Sequence, residues 1–226
     1  MLLKKYKSLI LILFFTFLVS LQLVDAKVNS ILPLAGKVIT IDPGHGGRDS
    51  GAIAGKIYEK DLNLEISYQL KKVLEENGAT VYMTRMVDED LSSRWDARKK
   101  RGDLYRRILF IQNKKSDIYL SIHLNAGAGS GHGQEVLYHP INKKNLILAE
   151  SIHNEFKEEF KTRRIIKKTN LYLYSNTRIP GVLIECGFLS NANDRYLLQR
   201  ESYQKRLALA ITKGVFEYFQ KEETTS

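Results

Sequence analysis

Two histidines and two glutamates occupy positions where a folded chain could bring them together. His45, His123 and Glu185 each lie at or just beyond the end of a segment rich in β-branched and apolar residues, which predicts a strand. In open α/β sheets, ligands bind beyond the carboxyl ends of the strands, because the loops there bring distant residues together. Glu59 opens a helical segment after a glycine-rich loop, which could fold back to meet His45. We therefore expect the four side chains to converge.

Two imidazoles and one carboxylate make a donor set that suits Zn²⁺ and leaves its fourth tetrahedral position open for water or substrate. An open position makes a zinc site catalytic, because the metal polarises a carbonyl and lowers the pKa of its water toward ~7. The residues predict one zinc ion held by His45, Glu59 and His123. Glu185, a charge in an otherwise apolar strand, is the candidate carboxylate that takes the water's proton and passes it to a leaving amine.

Each of these residues also has an ordinary structural explanation. Histidines near strand ends often serve as hydrogen-bonding residues, and the spacing of the candidate ligands matches no H-E-x-x-H pattern. A helix N-terminus favours Glu59 for its charge alone, and Glu185 could pair with an arginine. Asp42 either orients a ligand histidine or stabilises the turn. The pattern alone leaves these alternatives open.

Cys186 is the only cysteine of the chain, and it raises the alternative of a thiol nucleophile. Neighbouring residues on a strand point to opposite faces, so a Glu185 that faces the site turns Cys186 into the core. A thiol packed in the core behaves as a small apolar group, and a single cysteine excludes an intramolecular disulfide. We therefore discount the thiol chemistry.

Strand-like and helix-like segments alternate along the chain. The predicted strands span residues 37–42, 80–84, 118–123, 135–138, 171–174 and 181–186. The predicted helices span residues 59–77, 92–113, 145–160 and 203–219. This alternation predicts an α/β fold: a single layered domain with a mixed, mostly parallel twisted sheet and helices on both faces. His139 and His153 are expected on its surface.

The N-terminus has the form of an export signal. Residues 1–7 carry three lysines and residues 8–24 form an uncharged, mostly apolar run, which is slightly short for a membrane span. We expect residues 1–26 to be a signal peptide that is cleaved, with an uncleaved anchor as the alternative. The remaining predicted units are a connector over residues 27–35, a catalytic domain over residues 36–220 and a tail over residues 221–226.

The basic charge of the chain narrows the class of partner. The net charge is +10, and removal of residues 1–26 would lower it to +8. An exported nucleic-acid binder would be unusual, and the aromatic-rich repeats of single-strand binders are absent from the sequence. We therefore expect no nucleic acid, and instead attraction to an acidic wall polymer or a peripheral contact with an anionic membrane.

Four ordered segments carry a family resemblance. Residues 42–47 (DPGHGG), 59–64 (EKDLNL), 121–126 (SIHLNA) and 185–191 (ECGFLSN) resemble the four signature segments of the zinc-dependent N-acetylmuramoyl-L-alanine amidases. The resemblance covers roughly residues 36–220. Within that family, the chain looks most like the germination-specific (CwlD-type) amidases of endospore-forming bacteria, which share its short signal segment, lone catalytic domain and basic helix around residues 94–107.

The resemblance implies zinc ligands at His45, Glu59 and His123 and a catalytic carboxylate at Glu185. It also implies hydrolysis, in peptidoglycan, of the amide between N-acetylmuramic acid and the L-alanine of the peptide stem. In the germination-specific subgroup, this reaction precedes formation of muramic-δ-lactam in the spore cortex. The implied location is the cell wall or the forespore intermembrane space, after export across the cytoplasmic membrane, and an activating partner protein is a further expectation.

Three residues are weaker candidates for substrate contacts: Asn125, Arg85 and His132. Asn125 follows His123 by two residues, so an extended chain would point both to the same side. Two other functions stay open at this point. One is a zinc carboxypeptidase or endopeptidase that cuts within the stem, and the other is a wall-binding module that has lost the reaction.

Overall fold

The computed structural model of the protein describes residues 10–18, 32–127 and 131–225. Residues 10–18 are helical and are labelled α1. None of the helices in the described ranges has the length and hydropathy that a bilayer span requires. The predicted cleavage site after Ala26 lies outside the described residues, as does most of the predicted connector.

Eight strands and six further helices follow α1 in the described chain. The strands are β1 (Val38–Pro43), β2 (Ile53–Ala54), β3 (Ile57–Tyr58), β4 (Thr80–Met83), β5 (Ile118–Asn125), β6 (Glu135–Tyr138), β7 (Lys167–Lys168) and β8 (Gly181–Phe188). The helices are α2 (Glu59–Glu76), α3 (Lys99–Asn113), α4 (Lys143–Phe160), α5 (Tyr172–Ser175), α6 (Ala192–Leu198) and α7 (Glu201–Thr225).

Six of the strands form one sheet in the order β4-β1-β5-β8-β6-β7. The pairs from β4 to β8 are parallel, β6 runs antiparallel to β8, and β7 runs parallel to β6. The central strands are buried on both faces, as their apolar and β-branched composition requires. The α/β fold with a mixed, mostly parallel sheet is confirmed.

Helices cover both faces of this sheet. On one face, α2, α4 and α7 contribute most of the larger apolar cluster, which includes Ile39 and Ile41 of β1. On the other face, Ile108 and Ile111 of α3 pack in a second cluster with Tyr119 of β5. The prediction of helices on both faces is therefore also confirmed. The buried polar residues of α3 approach the strand ends from the face that α3 covers.

The segment predicted as a strand at residues 171–174 is instead the short helix α5. Leu173 and Tyr174 are consecutive and both buried, and Tyr174 stacks on Tyr119 with ring centroids 5.9 Å apart. A strand would send two neighbouring side chains to opposite faces, whereas a helical turn lets both pack on the same cluster. Tertiary packing therefore overrides the β-propensity of these residues.

The helix predicted over residues 92–113 begins only at Lys99. Side-chain hydrogen bonds hold the preceding residues in a turn: the Asp96 carboxylate accepts from the backbone N–H of Ser93, and Lys99 donates to the carbonyls of Ser93 and Arg94. Such bonds compete with helix formation. The short strands β2, β3 and β7 and the helix α6 were not predicted, and His153, expected on the surface, is buried.

A close crossing of α4 and α7 gives a test of the packing. A side chain at Gly214 would place its Cβ only 2.5 Å from Ile152 Cα. Alanine at an ordinary helix position stabilises relative to glycine by roughly 0.5–1 kcal/mol, but here the two helices must separate. We expect Gly214→Ala to lower the free energy of unfolding by about 1–3 kcal/mol in chemical denaturation.

The exposed Lys205 on the same helix provides the control. Lys205→Ala should change the free energy of unfolding by less than about 0.5 kcal/mol. A Gly214→Ala variant as stable as the wild type would contradict the close crossing.

Candidate metal centre

Three of the four predicted residues meet at the carboxyl ends of two adjacent strands. His45 lies just beyond β1, His123 lies near the end of the neighbouring β5, and Glu59 is the first residue of α2. The donor atoms that these residues offer all lie within 4.8 Å of one another. Glu59 Oε1 is 3.2 Å from His45 Nε2 and 3.0 Å from His123 Nδ1. Two nitrogens and one carboxylate oxygen therefore face a common point.

Two glycines make this approach possible. A Cβ at Gly44 would lie 2.3 Å from the His123 ring, and a Cβ at Gly51 would lie 2.5 Å from Glu59 Oε2. No side chain fits at either position without displacing a ligand residue. His45 itself has a φ of 61°, a left-handed conformation that non-glycine residues seldom adopt. The loop is therefore held in a conformation that serves the position of its histidine.

The Glu59 carboxylate is ionised despite its burial. Burial alone would raise the pKa of Glu59, but the hydrogen bonds of His123 and His45 lower it well below its ordinary range. The backbone N–H of Leu124 donates to one carboxylate oxygen at 3.1 Å, and that of Ala52 donates to the other at 2.8 Å. A buried charge of this kind needs a cation or several donors. The donor chemistry and the spacing both fit a zinc ion.

Asp49 is a residue of this site that the sequence reasoning missed. Its Oδ2 lies 3.0 Å from His45 Nδ1, which is an ion-pair distance. Lys100 approaches the same carboxylate at 3.4 Å. Ligand histidines usually face a carboxylate or carbonyl with their second ring nitrogen, which fixes the orientation of the ring. The available signal was an aspartate four residues after His45 in the same glycine-rich loop.

Glu185 lies beside the three donors, on β8. It is opposite His123 of β5 on one side and opposite Glu135 of β6 on the other. Its side chain lines a cavity of about 690 Å³ together with all three donor residues. Burial, reinforced by the charges of Glu59 and Glu135, raises the pKa of Glu185 to about 8, and its Oε2 has no hydrogen-bond partner within the protein. The carboxyl is thus poised to exchange a proton with a molecule in the cavity.

Glu135 has the opposite surroundings, and it is more deeply buried than Glu185. Arg164 Nη2 lies 2.8 Å from Glu135 Oε1, and Lys167 Nζ lies 2.7 Å from the same oxygen. Two cations therefore compensate Glu135, whereas Glu185 at the same register has no ion pair of 4 Å or less among the described residues. Asn125 completes this edge of the cavity, with its amide nitrogen 3.5 Å from Glu135 Oε2.

The three candidates for substrate contacts are placed differently. Asn125 lines the cavity, in keeping with its prediction. His132 is exposed in the loop before β6 and is not among the residues that line the cavity. Arg85 is only 2% exposed, and its guanidinium donates to the carbonyls of Pro43, Gly44, Lys60 and Val87. The prediction of a substrate contact for Arg85 is therefore corrected: this side chain supports the loop from within.

Asp42 makes no hydrogen bond to His45 or His123. Its carboxylate accepts hydrogen bonds from Thr84, Ser121 and Arg107, and these bonds tie β1 to β4, β5 and α3. Burial alone would raise the pKa of Asp42, but the Arg107 charge and these hydrogen bonds lower it. Asp42 therefore joins the end of β1 to its neighbours and acts on the turn only through Arg107, which donates to the carbonyls of Pro43 and His45.

A family model and a curated relative both match most of this chain. Residues 39–217 match the sequence profile of the Amidase_3 family, described as N-acetylmuramoyl-L-alanine amidase. The germination-specific N-acetylmuramoyl-L-alanine amidase of Bacillus subtilis (strain 168) is 40% identical over 194 residues, which cover 83% of this chain and 82% of that protein.

Two solved structures are similar over nearly their whole length. The CwlD amidase from Clostridioides difficile, solved in complex with the GerS lipoprotein, matches with a TM-score of 0.78 at 35% identity, covering 82% of this chain and 99% of that one. The catalytic domain of CwlV, an amidase from Bacillus (Paenibacillus) polymyxa var. colistinus, matches with a TM-score of 0.72 at 32% identity, covering 81% and 98%.

The raised pKa of Glu185 predicts a pH dependence of stability in the metal-free protein. The folded carboxyl keeps its proton up to about pH 8, whereas an unfolded one releases it near its ordinary pKa of 4.5. The folded state therefore binds more protons between these values, and the contribution of Glu185 to the free energy of unfolding falls as the pH rises.

Chemical denaturation at pH 5 and pH 8, with metal removed, measures this contribution. The wild type should lose more stability between the two pH values than Glu185→Gln, which cannot ionise at this position. Equal losses in the two proteins would contradict the raised pKa.

Proposed function

The chain belongs to the N-acetylmuramoyl-L-alanine amidase family, and we propose that it is a zinc-dependent member whose metal is held by His45, Glu59 and His123. The resemblance drawn from its four motifs is thereby confirmed at the level of the family. The observation that carries the zinc proposal is the meeting of three donor atoms within 4.8 Å, around a carboxylate that is ionised although buried.

The activity is hydrolysis of the amide that joins N-acetylmuramic acid to the L-alanine of the peptidoglycan stem. A bound zinc ion supplies a Lewis acid, which polarises the scissile carbonyl and makes a water molecule more acidic. The protein must supply the rest: a fixed set of donors, a cavity that admits the substrate, and a group that moves protons. The cavity at the ends of β1, β5 and β8 brings these elements together.

Glu185 is our candidate for the group that moves protons. It lines the cavity beside the donors, and its Oε2 has no hydrogen-bond partner within the protein. The charge of a bound zinc ion would favour the ionised carboxylate, which is the form that accepts a proton. Glu185 would accept a proton from the attacking water and deliver it to the nitrogen of L-alanine as the amide bond breaks. Without this proton, the leaving amine would depart as an unstable anion.

We infer the cellular role of this chain from the relatives named above. Because the Bacillus subtilis relative is germination-specific, we infer that this chain acts in maturation of the spore cortex, as the first step toward muramic-δ-lactam. Residues 1–26 would direct export, so that the domain over residues 36–220 acts in the cell wall or the forespore intermembrane space. The Clostridioides difficile relative was solved with a lipoprotein partner, and we infer an activating partner protein here as well.

The products of digestion test the bond that is cut. Mass spectrometry of muropeptides treated with the purified protein, with and without added zinc, should find intact stems with a free L-alanine N-terminus and peptide-free muramic acid. The products should appear only when zinc is present. Shortened stems still joined to glycan would instead identify a carboxypeptidase or endopeptidase, and the absence of any product would favour a wall-binding module.

A single substitution separates metal binding from proton transfer. Glu185→Gln keeps the shape of the side chain and should retain one zinc ion per chain, because no ligand is altered. Hydrolysis should fall by roughly 10²- to 10⁴-fold, the usual contribution of a positioned acid or base. The measurements are zinc content by elemental analysis and turnover on muropeptides.

Glu150→Gln is the matched control, because Glu150 is exposed on α4. It should keep both zinc and turnover. Unchanged turnover in Glu185→Gln would remove Glu185 from the mechanism, and loss of zinc in that variant would assign it to the metal site instead.

A further inference from the structure

Arg107 is a buried arginine whose hydrogen bonds converge on the loop that carries His45. It lies on α3 and is 1% exposed. Its Nη2 donates to the carbonyl of His45 at 2.7 Å, and its Nη1 donates to the carbonyl of Pro43 at 2.7 Å. The guanidinium therefore binds the backbone at two points of the loop, at Pro43 and at His45 itself.

The remaining contacts of Arg107 anchor it to the body of the fold. Its Nε donates to Asp103 Oδ2 at 2.9 Å, one helical turn away, and its Nη1 also donates to Asp42 Oδ1 at 2.8 Å. The two carboxylates more than balance the charge of the arginine. The hydrogen bonds from Arg107 to the loop carbonyls are therefore not needed to neutralise its charge, and they must serve another purpose.

The conformation of His45 gives that reason. A non-glycine residue with a φ of 61° is held there only when its surroundings over-determine the backbone. The Arg107 hydrogen bond fixes the carbonyl of this residue, and the direction of the Cα–Cβ bond follows from the orientation of the backbone. In this conformation, His45 Nε2 lies 3.2 Å from Glu59 Oε1. A relaxed loop would turn the imidazole away from the common point.

A lysine in place of Arg107 would keep the positive charge but lose some of these hydrogen bonds. Arginine presents five donors in a rigid plane, which lets one side chain bond two loop carbonyls and two carboxylates. An ammonium group is a point donor on a flexible chain and cannot reach all four acceptors at once. The geometry of the site thus requires the guanidinium specifically.

We propose that Arg107 is a positioning residue of the metal centre, which holds the loop of His45 in its left-handed conformation so that the imidazole meets the ion. This inference rests on the proposed zinc site. Arg107 acts through His45, from a helix on the opposite side of the sheet from the helix that supplies Glu59.

The test compares zinc affinity in the purified wild type and in Arg107→Lys, by competition with a chromophoric chelator. We expect the affinity of the variant to fall roughly 10- to 100-fold, the usual effect of losing a partner that orients a ligand. The visible absorption spectrum of the cobalt-loaded protein reports the ligand geometry directly, and it should change in the variant. Circular dichroism of the metal-free proteins should show the same folded content.

Two controls separate positioning from general destabilisation. Arg106→Lys alters the next residue of the same helix, which pairs with Asp96 outside the site, and it should bind zinc like the wild type. Ile211→Val weakens the core on the other face of the sheet, and it should lower the melting temperature without changing zinc affinity. Wild-type zinc affinity together with an unchanged cobalt spectrum in Arg107→Lys would overturn the proposal.

A second variant decides the matter if Arg107→Lys does not fold. Asp103→Asn leaves Arg107 and its loop contacts in place but weakens their anchor, and a several-fold loss of zinc affinity would support the proposal. Unchanged affinity in Asp103→Asn would then overturn it. A wild type that binds no zinc would be a different failure, because it would remove the proposed metal centre itself.

Discussion

The carboxylate of Glu59 is the interaction on which the site depends. One of its oxygens faces both histidines and accepts the backbone N–H of Leu124, while the other accepts the N–H of Ala52. A single buried charge thereby joins the start of α2, the end of β5 and the loop after β1. Such a charge is stable only with its full set of partners, so the elements that supply those partners must assemble in one arrangement.

The parallel sheet explains why distant residues can form this arrangement. β1, β5 and β8 are neighbours in the sheet, so their carboxyl ends bring His45, His123 and Glu185 side by side. These residues are far apart in the sequence, and only the strand order makes them adjacent. The antiparallel strand β6 then closes the row by placing Glu135 opposite Glu185. The chemistry thus belongs to one edge of the sheet, and the helices behind it provide the burial.

The sequence predicts the carboxyl-end edge of the sheet well, because the strands and the motifs that form this edge are local sequence patterns. A strand shows as a run of β-branched residues, and His45 and His123 are visible at the ends of such runs. The turn at residues 92–98 and the helix α5 were not predictable in this way, since both depend on contacts with residues elsewhere in the chain. Leu173 and Tyr174 look like strand residues until the apolar cluster that contains them both, together with Tyr119, is known.

Buried charges were the hardest part of the site to predict. Arg107 stands in a strongly basic stretch, where periodicity assigns charged residues to the solvent, and nothing local distinguishes it from the half-buried Arg106. Arg85 was taken for a substrate contact because an arginine at a strand end suggests a ligand. Both face inward because the loop after β1 presents backbone carbonyls that no strand or helix satisfies, and that requirement exists only in the folded chain.

The pairing of Glu135 with Arg164 and Lys167 has a consequence for how such a site can vary. Glu135 raises the pKa of Glu185, whereas Lys167 lowers it, and neither residue belongs to the four signature segments. The acidity of Glu185 is therefore adjustable from the segment that follows α4, without any change to the donors. A substitution at Glu135 or at Lys167 would therefore shift the pKa of Glu185 even where all four signature segments are unchanged.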